Sequence, residues 1–258
     1  MRVLRVRYGG HSFYGSLVDK AVYCLDKSLG LSEPIPLEKL AILPPAAPTK
    51  IVCAGLNYKA HAEEMGKPLP DEPLIFLKPP SAVISAGQAI VLPPQSANVH
   101  FEGELAVIIG RSCRNVAPEN VQEHLFGYCC ANDVTARDLQ KKDGQYTRAK
   151  GFDTFAPLGP WIETQPPAIA ELGLRTLVNG EVRQEGAFSD MIFTVEELVS
   201  FISKIMTLNP GDAVLTGTPP GVGPIGDGDE VRVEIPGVGV LANPVVSAAK
   251  NPDGQFIQ

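Results

Sequence analysis

The chain has 258 residues, 44% of them hydrophobic and 20% charged, and a net charge of -7. That length and composition suit one sizeable core with room for a small additional module. The acidic balance argues against a nucleic-acid footprint or an anionic membrane surface, since both require clustered Lys and Arg.

The first residues, MRVLRVRYGG, alternate charged and apolar side chains, so no signal peptide is expected there. Strands are predicted up to about Leu37, with Leu4, Val6 and Tyr8 alternating and a second run from Ala21 to Leu25. The stretch Leu43-Pro44-Pro45-Ala46-Ala47-Pro48 cannot hold a helix or a central strand, because proline lacks the amide hydrogen and fixes its own φ. This breaker predicts a small N-terminal module, residues 1–48, and a larger domain, residues 49–258.

Beyond it, Ile51 to Ala54 reads as a strand, and Asn57 is expected to cap a brief helix that stops at Gly66. Prolines at 68, 70 and 73 enforce a loop. Strand-like runs follow at Leu74 to Leu77, Ala89 to Leu92 and Glu104 to Ile109, and Pro118 opens a helix that places Val121 and Leu125 on one face. The clearest helix runs from Val195 to about Thr207: Leu198, Phe201, Ile202, Ile205 and Met206 form an apolar stripe, and Thr194 with Glu197 forms a capping box. Strands at Ala213 to Leu215, Glu230 to Ile235 and Gly239 to Leu241 complete the pattern. No apolar run approaches the roughly 20 residues that span a bilayer, so no membrane insertion is expected. The 24 prolines and 25 glycines sit mostly between short β-like runs, which predicts a strand-rich α+β fold with few short helices rather than a doubly wound sheet. Five cysteines (Cys24, Cys53, Cys113, Cys129 and Cys130) show no C-x-x-C spacing. Reduced thiols in a cytoplasmic protein are expected, without a zinc site.

Chemistry concentrates in His100-Phe101-Glu102-Gly103-Glu104-Leu105. In an extended chain the period of two puts His100, Glu102 and Glu104 on one face, with the two glutamates about 7 Å apart at the backbone. Carboxylates that close in a poorly hydrated place repel, and a divalent cation relieves the conflict. Asp133, after the apolar run Phe126 to Ala131, can reach the same place and complete an all-oxygen set suited to Mg²⁺ or Mn²⁺. Gly103 removes a side chain where substrate or backbone approaches closely. Taken alone, two glutamates on a strand also describe a solvated edge, and His100 is expected to be a core or supporting histidine rather than a ligand.

Five ordered segments add specificity: GLNYKAHAEEM (Gly55 to Met65), FEGELAVIIG (Phe101 to Gly110), NDVTARDLQ (Asn132 to Gln140), AKGFDTFAPLGP (Ala149 to Pro160) and LTGTPPGVG (Leu215 to Gly223). In these the chain resembles the fumarylacetoacetate hydrolase family, particularly its short acylpyruvase, oxaloacetate decarboxylase and tautomerase members. The resemblance implies a mixed β-sandwich roll, usually a homodimer, with Mg²⁺ or Mn²⁺ held by Glu102, Glu104 and Asp133. It further implies a helical lid carrying His61 and Glu64 as a base pair, Lys150 steadying an oxyanion or enolate, Thr218 binding a substrate carboxylate, and Arg137 and Gln140 lining the site. Many acylpyruvase-like members resemble GRNY where this chain has Gly55-Leu56-Asn57-Tyr58, and Leu56 offers no charge to an anionic substrate. The expected activity is hydrolytic C–C cleavage of a 2,4-dioxo acid through an enolate held at the metal. Oxaloacetate decarboxylation or tautomerisation, or hydroxydienedioate isomerisation, stands as the alternative, and a catalytically silent metabolite-binding protein as a third.

Overall fold

The structure, a computed structural model, describes residues 1–248 and the backbone of 249–250 and 256–257. The remaining C-terminal residues of the expected larger domain, 251–255 and 258, lie outside the described residues. Strands dominate, as the Pro- and Gly-punctuated sequence predicts, and the fold is a mixed β-sandwich roll with few short helices. The large sheet runs, in spatial order, through Ile35–Pro36, Ala21–Cys24, His11–Val18, Arg2–Tyr8, Ala156–Glu163, Leu125–Asn132, Gly103–Ile109, Ala213–Leu215, Ile51–Gly55 and Leu74–Lys78. The N-terminal strands therefore extend this sheet, with Arg2 opposite Glu163 and Val3 opposite Ile162. They carry a satellite cluster of Leu4, Val6, Phe13, Val22 and Ile35. A second sheet is ordered Glu181–Ala187, Gly173–Val178, Glu230–Ile235, Gly239–Ser247, Ile90–Leu92.

Gly103–Ile109 lies at the centre, and all seven of its residues are buried. Its alternation sorts side chains between two cores. Leu105, Val107 and Ile109 join Leu174, Val233 and Leu241 of the second sheet, whereas Ala106 and Ile108 join Ile51, Cys129, Leu158 and Ala213 on the other face. Burying a Leu or Ile of this kind contributes about 2 kcal/mol. The strand is thus fixed on both faces before it delivers Glu104 from its N-terminal end.

Among the described residues four α-helices complete the fold: α1 (Lys59–Glu64), α2 (Arg137–Asp143), α3 (Thr147–Lys150) and α4 (Val195–Ile205). The capping box predicted for α4 is present, with both Thr194 and Glu197 engaged. Its buried face is rotated from the predicted stripe: Leu198, Val199, Ser200, Ile202 and Ser203 are buried, Phe201 is half-buried, and Ile205 is exposed. The reason is polar. Ser200 Oγ donates to Val116 O at 2.8 Å and Ser203 Oγ accepts from Val116 N at 3.0 Å, so the serine side faces the chain at 115–116. The segment expected to be a helix from Pro118 is a 3₁₀ turn, Pro118–His124, with Val121 buried and Leu125 already in the next strand.

The proline-rich boundary is secured by Asp212. Its carboxylate accepts from Thr49 N (2.8 Å), Thr49 Oγ1 (2.7 Å), Lys50 N (3.2 Å), Lys50 Nζ (2.5 Å) and Asn209 N (2.8 Å). These bonds join the entries of Ile51–Gly55 and Ala213–Leu215, which pair in parallel. Burial pushes the Asp212 pKa up, but the bonds from Lys50, Asn209 and Thr49 outweigh it and hold the carboxyl below its usual range. A depressed folded-state pKa gives stability that is complete above the unfolded value of about 3.9 and is lost as pH falls through the folded value. Asp212→Asn should therefore cost about 2–4 kcal/mol in urea unfolding at pH 7. The gap to wild type should narrow in acid; equal midpoints at pH 7 would remove this role.

Candidate active site

At Glu102 the chain leaves one sheet for another. Val99–Phe101 pairs with Thr135–Ala136 and Gly223–Pro224, whereas Gly103–Ile109 pairs with Leu125–Asn132 and Ala213–Leu215. The expected single extended face is thus broken at Glu102, whose amide donates to Asn132 Oδ1 at 2.9 Å. The two glutamates still converge, and Asp133 joins them from the end of the neighbouring strand, where Gly103 lies opposite Asn132. One oxygen from each of Glu102, Glu104 and Asp133 lies within 4.8 Å of the others, and all three residues are buried. His100 does not share this face: its Nε2 lies 3.0 Å from Asn98 Oδ1, and it does not line the cavity below. The close neighbour at Gly103 is a side chain, since a Cβ there would stand 2.0 Å from Thr176 Oγ1.

The electrostatics are uneven. Lys150 Nζ donates to Glu102 Oε2 at 2.8 Å and to Asp133 Oδ2, Arg137 donates to Glu102 Oε1, and Lys78 Nζ donates to Asp133 Oδ1 at 2.5 Å. Burial pushes the Glu102 pKa up, but the charges and hydrogen bonds of Lys150 and Arg137 prevail and bring it down to about 2. Glu104 has no ion-paired partner among the described residues; its Oε2 accepts from Gly217 N at 2.7 Å. Burial, followed by repulsion from Asp133 and Glu102, pushes its carboxyl well above the usual range. A buried carboxylate short of a counter-charge, beside two others, fits a hard divalent cation with oxygen ligands. Gly217, at φ 95° and with its Cβ position 2.8 Å from Asn57, supplies a bond that a bulkier residue could not.

A cavity of about 200 Å³ opens onto this centre, lined by Glu102, Glu104, Asp133, Lys150, Arg137, Gln140, Thr218 and His61, with an apolar wall that includes Leu56, Leu74 and Phe76. Eight of the nine residues singled out in the sequence thus meet in one place. The ninth, Glu64, is 2.9 Å from His61 Nδ1 through its Oε2, while its Oε1 accepts from Gly221 N at 3.2 Å. Arg137 Nη1 donates to Gln140 Oε1 at 2.7 Å across one turn of α2. Thr218 Oγ1 accepts from Gln184 Nε2 and donates to Gly103 O, both at 2.8 Å, so its proton is committed within the protein.

Asn57 does not cap α1; Tyr58 occupies that position without a side-chain bond. Asn57 instead accepts from Phe193 N and donates to Phe193 O and Thr216 O. These bonds hold the corner at which Leu56 adopts φ 55°, a left-handed conformation that costs a non-glycine residue energy and needs such support. The sequence reading also missed Lys78, Phe76 and Tyr146. Phe76 lies 4.9 Å from Lys150 Nζ and packs edge-on to Tyr146 at 5.2 Å. The available signal was a lysine closing the apolar run Leu74-Ile75-Phe76-Leu77-Lys78, where a buried charge needs a partner.

A buried acidic trio that could hold a metal ion, opening on the same cavity as His61, marks a candidate active site. Residues 50–246 match the fumarylacetoacetate (FAA) hydrolase C-terminal family, and the chain belongs to this enzyme family. It is 41% identical to the human mitochondrial oxaloacetate tautomerase FAHD2A over 82% of this chain and 71% of that protein. Among solved structures it is similar to a 5-carboxymethyl-2-hydroxymuconate delta-isomerase from Mycobacterium smegmatis (42% identity, TM-score 0.88, covering 96% of this chain and 100% of that one). It is also similar to a maleylpyruvate hydrolase from Sphingobium sp. SYK-6 in complex with manganese(II) ion and pyruvate (32% identity, TM-score 0.80, covering 96% and 99%). Among the described residues no helix is long and apolar enough to cross a membrane.

Proposed function

We propose that this enzyme moves a proton next to the carbonyl of a small 2-oxo acid, as in oxaloacetate tautomerisation or isomerisation of a hydroxydienedioate, with Mg²⁺ or Mn²⁺ at Glu102, Glu104 and Asp133. The observation that carries the reading is the His61–Glu64 pair, 2.9 Å apart, with His61 lining the same cavity as the three carboxylates and Lys150. A divalent ion held there would supply Lewis-acid polarisation of the 2-oxo acid.

The remaining work falls to side chains. Burial pulls the Lys150 pKa down, but Asp133 and Glu102 overcome it and raise it, so the ammonium stays charged and cannot serve as a base. Lys150 instead offers fixed positive charge where enolate oxygen develops, an effect worth a few kcal/mol per interaction. Proton transfer then belongs to the imidazole of His61, which Glu64 orients through Nδ1, leaving Nε2 for the substrate. Arg137 holds Glu102 and Gln140 in register.

Hydrolytic cleavage of a 2,4-dioxo acid, ranked first by the motifs, is the second reading. It uses the same pair to activate water and is supported by the likeness to the maleylpyruvate hydrolase. The higher identities to a tautomerase and an isomerase, together with uncharged Leu56 on the wall, favour proton transfer without water attack. Side-by-side assays of oxaloacetate, a hydroxydienedioate and an acylpyruvate with Mn²⁺ separate the two. Tautomerisation or isomerisation should dominate by at least about tenfold in kcat/KM; preferential release of two carboxylic acids would establish the hydrolase. Background turnover with all three would leave a metabolite-binding protein.

A further inference from the structure

Most positive charge in the cavity is already committed. Arg137 and Lys150 pair with Glu102 and Asp133. Lys67 lines the same cavity, and among the described residues its side chain has no hydrogen-bonded or ion-paired partner. Its place is set by the backbone. Gly66 turns the chain at φ 61°, and Lys67 N donates to Ala62 O at 2.9 Å, folding Lys67 back over the end of the helix that carries His61.

The lining also holds the apolar side chains Leu56, Met65, Leu74 and Phe76. A ligand whose 2-oxo acid end faces the carboxylate centre meets these side chains and the neutral polar groups of Gln140, Tyr146 and Thr218. The only cation without a carboxylate partner among the described cavity-lining residues is the Lys67 ammonium. A distal methyl would gain nothing from it, whereas a distal carboxylate would gain a charge-assisted hydrogen bond.

We propose that Lys67 is a specificity-determining residue that reads a second carboxylate, so that the enzyme selects 2-oxo dicarboxylates over 2-oxo monocarboxylates. The inference rests on the reading of the cavity as a 2-oxo acid site and adds the residue that recognises the far end.

Oxaloacetate and 2-oxobutanoate test it, because they share the 2-oxo acid end and the chain length and differ in a distal carboxylate against a methyl. Isothermal titration of the Mn²⁺-loaded wild type should show oxaloacetate bound about tenfold more tightly or better. Lys67→Met, which keeps the hydrocarbon stem, should weaken oxaloacetate by about tenfold and leave 2-oxobutanoate unchanged, and Lys67→Arg should retain the preference. No preference in the wild type, an unaltered preference in Lys67→Met, or equal weakening of both ligands would overturn the assignment. Turnover measured in parallel keeps the two claims apart. A preference abolished by Lys67→Met in a protein that turns over no 2-oxo acid would leave the Lys67 assignment standing and remove the proposed reaction; turnover with no Lys67 effect would do the reverse.

Discussion

Glu104→Gln should lower metal-dependent turnover about a thousandfold or more while making the metal-free protein more stable. The two effects have one cause. Glu104 is buried beside Glu102 and Asp133, and among the described residues no Lys or Arg pairs with it. Removing its charge would take away a proposed oxygen ligand, and with it the electrostatic stabilisation that an ion would supply to developing negative charge. In the absence of metal the same charge is a burden, because burial and two acidic neighbours push the carboxyl well above the usual glutamate range. An acid whose folded-state pKa is raised costs nothing below its unfolded pKa, and the penalty grows as pH climbs from there toward the folded value. After chelation, Glu104→Gln should thus melt above wild type at pH 7, and the difference should close as the pH approaches about 4.3. A variant that loses stability at pH 7 without metal would show that Glu104 is held by contacts rather than strained by charge.

His61→Ala should reduce kcat at least about a hundredfold and leave metal affinity near the wild-type value. His61 and Glu64 contact each other rather than the acidic trio, and Glu64 is tied to the chain at Gly221. Loss of the imidazole should therefore remove the proposed proton carrier without disturbing Glu102, Glu104 or Asp133. Glu64→Gln should have a smaller effect, because it leaves the ring in place and removes only the anion that orients it. A normal rate in His61→Ala would eliminate the proposed base, and a parallel loss of Mn²⁺ binding would show that α1 serves the structure of the centre.

The parts of the fold read correctly from sequence are those where local rules act alone. Thr194 and Glu197 cap α4 through a contact three residues long, and the strands from Ile51, Leu74 and Glu104 follow from short apolar runs bounded by Pro and Gly. The convergence of Glu102, Glu104 and Asp133 was legible because Glu102 and Glu104 are close in sequence and Asp133 follows the strand paired with Gly103–Ile109. What misled was tertiary. The chain changes sheets at Glu102, which period-two counting cannot foresee and which turns His100 away toward Asn98. Asn57 carries the chemistry of a helix cap, but backbone groups of Phe193 and Thr216, distant in sequence, claim its side chain. Helices α2 and α3 escaped notice because neither has a side-chain cap and each buries little apolar surface, although they deliver Arg137, Gln140 and Lys150. Lys78 stayed hidden for a related reason: its partner Asp133 lies 55 residues away.

The central claim is that Glu102, Glu104 and Asp133 together grip one divalent cation. Anomalous diffraction from crystals grown with Mn²⁺ addresses it most directly. A single strong peak within oxygen-ligand distance, about 2.0–2.4 Å, of all three carboxylates is the predicted result. Well-ordered density showing those three side chains with no peak among them, or a peak held by other residues, would contradict the account.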